Sequence, residues 1–300
     1  MSDKFILSCE STVDLAYSYV AGRNIPVIFY SYTVDGTEFV DDMLRDPLAL
    51  PMFYSFINEG KLPSTSQINE YVYQNFFESL LPDGDILHIA LCTGMTQSVH
   101  NAEKAAIRLT EKYPGRKITV IDSLCSSSGY GLLVDYAADM RDSGCSMEKI
   151  EDWIIRNRKN VHHQFFSTDL KHFRRSGRMS GATATIATIL NICPIMRLDD
   201  GGRIIAYDKV RGKRSAIKRT VDIMEQHIQN GRDYTGKCFI SHSDCLTDAQ
   251  EMKALIEDRF PRISGGVQIW DIGTIIASHC GPGTVAVYFM GDERQPDIQP

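Results

Sequence analysis

The chain has 300 residues and a formal net charge of −6 at pH 7, with 43% hydrophobic and 23% charged residues. This is the composition of a soluble globular protein, and the length leaves room for two domains of ordinary size. Proteins that bind nucleic acid cluster Lys and Arg against the phosphates, so the acidic balance argues against that class.

The first half of the chain alternates short apolar runs with amphipathic ones, a pattern typical of strands and crossover helices in a parallel sheet. The apolar runs predict buried strands at 4–8, 25–30, 85–91 and 117–121. The amphipathic runs predict helices at 11–21, after the segment PSTSQ at 63–67, at 101–113 and at 146–157. Ser11 and Asp14 have the spacing of a helix-start signature, and Ser66 would cap the second helix.

The pattern changes after about residue 160 to a hairpin, followed by helices mixed with strands. The hairpin has two strand-like runs in 194–210 around an Asp-Asp-Gly-Gly turn. The later elements are predicted as helices at 213–230 and from Thr247, and as strands at 237–242, 267–272 and 284–290. We therefore predict an α/β fold of two domains: 1–160 with a Rossmann-like parallel sheet, and 161–300 with a mixed sheet.

The N-terminal sequence and the apolar runs indicate where the protein is located, and the cysteine spacing indicates whether it binds a metal. The first residues, MSDKFILSCEST, lack the basic region and long apolar core of a secretory signal. No apolar run approaches the roughly 18 residues that a membrane span needs, so we expect a cytoplasmic protein. The eight cysteines are scattered, with no CxxC pair and no Cys/His cluster at zinc spacing. This favours reduced structural thiols and no metal.

Hydroxyl-rich loops follow three of the predicted strands: SCEST at 8–12, CTGMTQS at 92–98 and DSLCSSSG at 122–129, which includes Ser126. The carboxyl ends of parallel strands face the ligand crevice of an open sheet, so we expect the loops to converge on one anionic or hydroxylated group. Any single loop has a plainer explanation, because Ser and Thr are common in turns. Thr65, just before a predicted helix, would add a hydroxyl where backbone N–H groups favour an anion.

The segment IIASHCGPG at 275–283 places His279 and Cys280 where a predicted strand gives way to a tight turn. Neighbouring residues on a strand point to opposite faces, and no nucleophile elbow is present, so a Cys/His hydrolase is disfavoured. No Walker loop is present, and no GxGxxG follows the first strand, which argues against the standard nucleotide sites. His162 and His163 are predicted as a surface pair at a helix end.

A basic loop precedes an apolar run in the segment 169–196. The apolar run predicts a helix with Ile186, Leu190 and Cys193 on one face. Among the arginines before it, Arg178 is the best functional candidate because small residues on either side permit a close approach.

Several segments together resemble the DegV family of bacterial fatty-acid-binding proteins, in an order and spacing that cover almost the whole chain. They are CESTVDL, STSQ, VIDSLCSSSGYGLLV, DLKHFRRSGRMSG with LNICPIM behind it, DGGRIIAYDKVRGKRSA and HCGPGTVAVYF. The resemblance implies two α/β domains with one long-chain fatty acid in a tunnel between them. It also implies a carrier that catalyses nothing itself and presents the carboxylate to a separate fatty acid kinase.

The resemblance also implies roles for particular residues. The carboxylate would be held by Thr65, by a hydroxyl of the loop after the third predicted strand (Thr93 or Thr96) and by His279, with Arg178 and Ser126 in support. The kinase would be met by Arg211 and Arg214. The expected partners are a long-chain fatty acid such as palmitate and the kinase, with no cofactor, no nucleic acid and at most transient membrane contact by a monomer.

Two departures from the family pattern concern the ligand loops. Glu10 stands where the family usually has Asp, and the loop 92–99 replaces a serine-rich run that ends in Ser-Gly-Thr-Tyr. Hydroxyls remain in that loop at Thr93 and Thr96. Two other functions stay open: a phosphotransfer or hydrolytic enzyme acting on a small polar metabolite, and a regulatory module whose apolar cleft binds a peptide.

Overall fold

The computed structural model describes residues 5–179 and 191–296, and in them the chain has an α/β architecture with three sheets. The predicted fold class, with a parallel sheet in the first half and a mixed sheet in the second, is confirmed. Ile186 and Leu190, with the helix predicted around them, lie outside the described residues. Cys193, assigned to the end of that helix, instead lies in a strand.

The first sheet is parallel. Its strands are β1 (Phe5–Glu10), β2 (Val27–Ile28), β6 (Asp85–Ala90) and β7 (Ile118–Asp122). They lie in the order β2-β1-β6-β7. Five of the six residues of β6 are buried, as expected for a central parallel strand that is covered on both faces. The three hydroxyl-rich loops leave the carboxyl ends of β1, β6 and β7 at one edge of the sheet.

Most helices of the first half follow the predictions, with corrections at their starts: α1 (Tyr17–Gly22), α3 (Glu70–Leu80), α4 (Ser98–Lys112) and α6 (Met147–Asn157). Helix α5 (Ser127–Asp142) was not predicted. Ser11 does not start a helix but lies in a single 3₁₀ turn, where its hydroxyl accepts a hydrogen bond from the Tyr30 N–H at 3.2 Å. The cap of α3 is Asn69 rather than Ser66.

A small antiparallel sheet and one further helix were also not predicted. The strands are β3 (Ser31–Val34), β4 (Thr37–Val40) and β5 (Ser64–Thr65), in the order β4-β3-β5, and the helix is α2 (Ala49–Asn58). Thr65 pairs with Tyr32 in this sheet. It is therefore held by a strand and lies several residues before the start of α3, so the helix dipole does not reach it.

The second sheet is mixed. Its strands are β8 (Val161–Ser167), β9 (Ile192–Leu198), β10 (Ile204–Arg211), β11 (Cys238–His242), β12 (Val267–Asp271) and β13 (Thr284–Met290), in the order β10-β9-β8-β13-β11-β12. The β11 and β12 pair is parallel and the other described pairs are antiparallel. All residues of β8 are buried, so His162 and His163 are core residues and the predicted surface pair is wrong.

The helices of the second half are α7 (Lys171–Ser176), α8 (Lys213–His227), α9 (Leu246–Arg259) and α10 (Thr274–Cys280). The segment before His279, predicted as a strand, is α10. Among the described residues no helix has both the length and the apolar character needed to cross a bilayer. The cytoplasmic location, the monomeric state and the domain boundary near residue 160 stay predictions.

Helix α5 connects the two larger sheets. Eleven of its 16 residues are buried. A Cβ on Gly129 would collide with the rings of His163 and Tyr288 in the second sheet, and one on Gly131 would collide with the Val13 carbonyl beside the first sheet. Glycine at these positions lets the helix approach both sheets closely. The N-terminus of α5 is thereby fixed between the two halves.

Candidate ligand-binding site

Two adjoining cavities lie where the loops of the first half meet α10. The first contains about 600 Å³ of space between protein atoms and the second about 420 Å³, and both values include space that is open to solvent. They share the lining residues Met95, Ser126, Phe173, Ile204, Ile276 and Cys280, so they form one elongated space.

Polar side chains are more frequent at one end of this space, and apolar side chains at the other. The polar residues of the first cavity are Thr65, Ser66, Gln67, Thr96, Ser126, Arg178 and His279. The second cavity is lined mainly by apolar residues, namely Phe165, Phe173, Leu198, Ile204, Ile272, Ile276 and Ala286, and also by Ser127, His163, Thr284 and Tyr288. Ser66 and Gln67 are exposed, which places an opening at the polar end. The space therefore suits an amphiphile with a polar head and a long apolar tail.

His279 and Thr65 form a hydrogen-bonded pair at the polar end. His279 Nε2 lies 2.9 Å from Thr65 Oγ1. Burial, reinforced by the positive charges of Arg178 and Arg175, lowers the pKa of His279 to about 4. The imidazole is therefore neutral at physiological pH and carries one N–H.

The pair has one hydrogen left to donate to a ligand. Its two polar hydrogens are the imidazole N–H and the Thr65 hydroxyl hydrogen, and one of them is used in the bond between the residues. In one tautomer the free hydrogen is on Thr65, and in the other it is on His279 Nδ1. That nitrogen is buried and has no hydrogen-bond partner within the described part of the chain. Both arrangements suit an acceptor such as a carboxylate oxygen.

Two arginines donate hydrogen bonds to backbone carbonyl groups around the pair of His279 and Thr65. Arg178, which lines the cavity, donates to the Met95 carbonyl at 3.3 Å and to the Ser176 carbonyl at 2.7 Å. Arg175 donates to the carbonyl oxygens of Pro63 and Ser278, each at 3.2 Å. It thereby links the segment before Thr65 to the last turn of α10. Both cations favour an anion beside the neutral histidine.

The structure separates the two threonines of the loop after β6. Thr96 lines the first cavity, and its hydroxyl lies 3.0 Å from the hydroxyl of Ser98. Thr93 does not line either cavity, and its hydroxyl donates to Asp122 at 2.6 Å. The Thr93 side chain thus ties two loops together. Of the two, only Thr96 is placed to meet a ligand in this space.

Ser126 lines both cavities at the N-terminus of α5. Its N–H donates to His163 Nε2 at 3.1 Å, while His163 Nδ1 lies 3.0 Å from the Val161 carbonyl. These bonds assign the proton to Nδ1, and burial lowers the pKa of His163 well below its ordinary value. His163, a residue with no predicted role, therefore positions Ser126.

Comparisons with known proteins agree with this architecture. The family model described as "Uncharacterised protein, DegV family" matches residues 4–292. A DegV domain-containing protein of Clostridium perfringens is 33% identical over 294 residues, which cover 98% of this chain and 99% of that protein. The chain belongs to the DegV family. The predicted family membership is confirmed.

Solved structures of DegV proteins share the fold. One, described as showing fatty acid binding of a DegV family protein from Thermus thermophilus, has a TM-score of 0.84 and 23% identity, covering 96% of this chain and 99% of that one. Another is the Streptococcus pneumoniae Fatty Acid Kinase (Fak) B3 protein loaded with linoleic acid, with a TM-score of 0.82 and 18% identity, covering 96% of this chain and all of that one. At these identities the likeness concerns the fold.

A buried glutamate supports the floor of the cavity in this DegV protein. Glu10 is fully buried and accepts hydrogen bonds from the Leu91 N–H at 2.8 Å and from the hydroxyls of Tyr73 and Tyr30. Leu91 and Tyr30 line the first cavity. In the sequence, Glu10 stands out only as a departure from the family pattern. A charged residue inside a buried strand was the signal that could have revealed this network.

A second network fixes the start of α10, which carries His279. Asp14 accepts hydrogen bonds from the Gly273 N–H at 3.0 Å and from the Ser127 hydroxyl at 2.5 Å, and Asp41 accepts one from the Thr274 hydroxyl at 3.0 Å. Burial raises the pKa of Asp14 well above its usual range and that of Asp41 to about 6. These aspartates anchor the second half of the DegV fold to the first.

The two arginines predicted to face a kinase lie away from the cavity. Arg211 ends β10, whereas Ile204, which lines the cavity, begins that strand. At about 3.3 Å per residue, the strand separates them by roughly 23 Å. Arg214 lies in the first turn of α8 with a side chain that is 92% exposed. The structure therefore does not bring these residues to the polar end of the space.

The cysteines near the site are poor nucleophiles. Burial raises the pKa of Cys280 to about 12 and that of Cys92 well above its ordinary value. Since the thiolate is the reactive form, neither side chain is activated. Cys280 contributes packing to both cavities.

Proposed function

We propose that this DegV protein binds a long-chain fatty acid in the elongated cavity and presents its carboxylate to a partner fatty acid kinase, without catalysing a reaction itself. The observation that carries the proposal is the polar end formed by His279 and Thr65, joined to an apolar interior. The fatty acids described for the Thermus thermophilus and Streptococcus pneumoniae proteins support it.

The apolar interior accounts for affinity. A sixteen-carbon chain transfers about fifteen carbon units out of water, which contributes on the order of 12 kcal/mol before ordering costs at about 0.8 kcal/mol per CH₂. Phe165, Phe173 and Leu198, with the isoleucines of the second cavity, supply the matching surface.

The polar end accounts for specificity toward a carboxylate. A carboxylate buried without donors would cost several kcal/mol, so each oxygen needs hydrogen bonds. We assign the free hydrogen of the His279 and Thr65 pair and the Thr96 hydroxyl to the carboxylate, with Arg178 supplying positive charge nearby. Thr93 is left out of this assignment because its hydroxyl is bonded to Asp122.

Handover to a kinase follows from the opening at Ser66 and Gln67, where the head group would be accessible. Arg211 and Arg214 would then belong to a more distant part of the kinase footprint. The raised pKa values of Cys280 and Cys92 favour this carrier role over a thiol hydrolase.

The proposal is tested by denaturing purified protein and identifying the released small molecules by mass spectrometry. We expect about one long-chain fatty acid per chain and no turnover of acyl esters or phosphates by the protein alone. The absence of any acyl chain from several preparations, together with failure to bind added palmitate, would overturn the proposal.

A further inference from the structure

Two histidines and an aspartate lie together at a place that the proposed function does not use. His162 is in β8, His227 is the last residue of α8, and Asp292 follows β13. His162 Nε2 and His227 Nδ1 lie 2.9 Å and 3.0 Å from Asp292 Oδ1. None of the three lines the fatty-acid cavities.

We propose that His162, His227 and Asp292 bind one Zn²⁺ ion, with the fourth position open to water. In the described residues this is the one group of three His, Cys, Asp or Glu side chains whose ligand atoms all lie within 4.8 Å of one another. Tetrahedral Zn²⁺ holds its ligands at about 2.0–2.2 Å, so its ligand atoms are about 3.4 Å apart. The two histidine nitrogens lie 2.9 Å and 3.0 Å from Asp292 Oδ1, and all three ligand atoms lie within 4.8 Å of one another, so the side chains must move apart or together only within this range to take up that spacing.

The backbone holds the three residues in place without an ion. The Asp292 N–H donates to the His227 carbonyl at 3.0 Å, and Gly291 pairs with Ile228. A Cβ at Gly291 would collide with the His227 carbonyl and the His162 ring, so this glycine permits the close packing. The imidazole rings of His162 and His227 are 4.8 Å apart and 24° from parallel. Folding therefore already brings the three side chains together, so little conformational entropy is lost when the ion binds.

The ligand set selects the metal. In the ion-free protein the Asp292 carboxylate faces two imidazole nitrogens, and His162 Nε2 also lies 2.9 Å from the Asp292 carbonyl. A bound ion takes the lone pair of each of these ring nitrogens, so the imidazole proton lies on the other nitrogen of each ring. Imidazole with carboxylate suits Zn²⁺ and its transition-metal neighbours, whereas Mg²⁺ and Ca²⁺ prefer oxygen ligands.

Solvent access to the ligands and the hydrogen bonding of His162 determine how tightly we expect the ion to bind. The side chains of His227 and Asp292 are 37% and 60% exposed, so an ion and its water can enter from solvent. His162 Nδ1 has no hydrogen-bond partner within the described residues, although metal-bound histidines usually have one. Arg294 places a positive charge nearby. We therefore expect binding weaker than that of a four-ligand structural zinc site.

Binding of Zn²⁺ would stabilise the position of the C-terminal segment. Arg294, two residues beyond Asp292, is buried and donates to the carbonyl oxygens of Leu124 at 2.7 Å and Asp199 at 2.9 Å. An ion that joins Asp292 to β8 and α8 holds the same segment at a second point. Because the unfolded chain lacks this arrangement, Zn²⁺ raises the melting temperature of the folded protein.

The test is a calorimetric titration of untagged, full-length, EDTA-treated protein with ZnCl₂, and it does not depend on fatty-acid binding. We expect one Zn²⁺ per chain in the wild type and at least a tenfold loss of affinity in His227→Gln and in Asp292→Asn. His100→Gln is the matched control, because His100 forms a 3.1 Å pair with the carboxylate of Glu103 but has no third ligand. It should bind as the wild type does.

Melting temperatures and Co²⁺ spectra complete the test. Zn²⁺ should raise the melting temperature of the wild type and of His100→Gln but not of the two ligand variants, whose circular dichroism reports whether they fold. If His227→Gln does not fold, Asp292→Asn at an exposed position carries the comparison. Absence of Zn²⁺ binding by the wild type, wild-type affinity in the folded ligand variants, or a thiolate charge-transfer band with Co²⁺ would overturn the proposal.

Discussion

His279 Nε2 lies 2.9 Å from Thr65 Oγ1, although 214 positions separate the two residues in the chain. One residue ends α10 after the second sheet, and the other is in β5 of the small antiparallel sheet. Their contact places one free polar hydrogen at the head of an apolar cavity. The positions of both side chains therefore depend on the correct packing of the two halves of the chain.

Replacing His279 by Ala should weaken fatty-acid binding by about tenfold to a hundredfold, because a hydrogen bond to a charged group is worth about 1.5–3 kcal/mol. Competition with a fluorescent fatty acid measures the affinity. Thr65→Val should cause a similar loss, and the double variant little more, because the pair shares one free hydrogen. Unchanged affinity in His279→Ala, with the fold intact, would remove the residue from the site.

Thr96 and Thr93 should respond differently to replacement by Val. Thr96→Val should reduce fatty-acid affinity, because its hydroxyl lines the cavity. Thr93→Val should leave the affinity within about twofold but lower the free energy of unfolding by about 1–2 kcal/mol, because Asp122 loses a donor. The same competition assay and urea unfolding measure the two effects. A larger affinity loss in Thr93→Val than in Thr96→Val would contradict the assignment.

Arg211→Ala should leave fatty-acid affinity unchanged and reduce phosphorylation of the bound fatty acid by a partner kinase. Arg156→Ala is the control, because Arg156 is a 75% exposed arginine on α6. Initial rates of acyl-phosphate formation, measured at low carrier concentration, report the handover. Wild-type phosphorylation with the double variant His279→Ala, Arg211→Ala would refute both roles.

Asp41 should make the free energy of unfolding depend on pH. Burial raises its pKa from 3.8 to about 6 in the folded protein, so folding favours the protonated carboxyl. Its stabilising contribution is fully present below pH 3.8 and is lost as the pH rises through 6.

Asp41→Asn removes this titration and keeps an acceptor for Thr274. Relative to this variant, the wild type should lose on the order of 3 kcal/mol between pH 4 and pH 7, as urea unfolding at a series of pH values would show. A constant difference across this range would mean that Asp41 titrates normally in the folded protein.

The sequence predicted the strands and helices that have strong apolar periodicity. The parallel strands β1, β6 and β7 and helices such as α6 were predicted with small errors at their ends. The turn at 199–202 was predicted because its Asp and Gly residues have conformational preferences that do not depend on distant contacts. The order of family motifs was also in the sequence, and it determined the family and the expectation of a fatty acid.

Local patterns failed where distant contacts decide the outcome. Ser11 has a cap signature, yet its hydroxyl accepts the N–H of Tyr30 from another element. The run before His279 looks like a strand, but it forms α10, whose start is anchored by Asp14 and Asp41 from the first half. These hydrogen bonds form only after the two halves of the chain pack together, so local sequence propensities do not predict them.

The sequence by itself determined the fold class, the family and the chemical types gathered at the site: hydroxyls, a histidine and arginines. Only the tertiary structure decided which of them meet. It placed Thr96 at the cavity and turned Thr93 to Asp122, and it brought His162 and His227 to Asp292 across 130 and 65 positions of chain. The reason is that periodicity encodes burial and local geometry, whereas contacts between elements depend on how the sheets and α5 pack together.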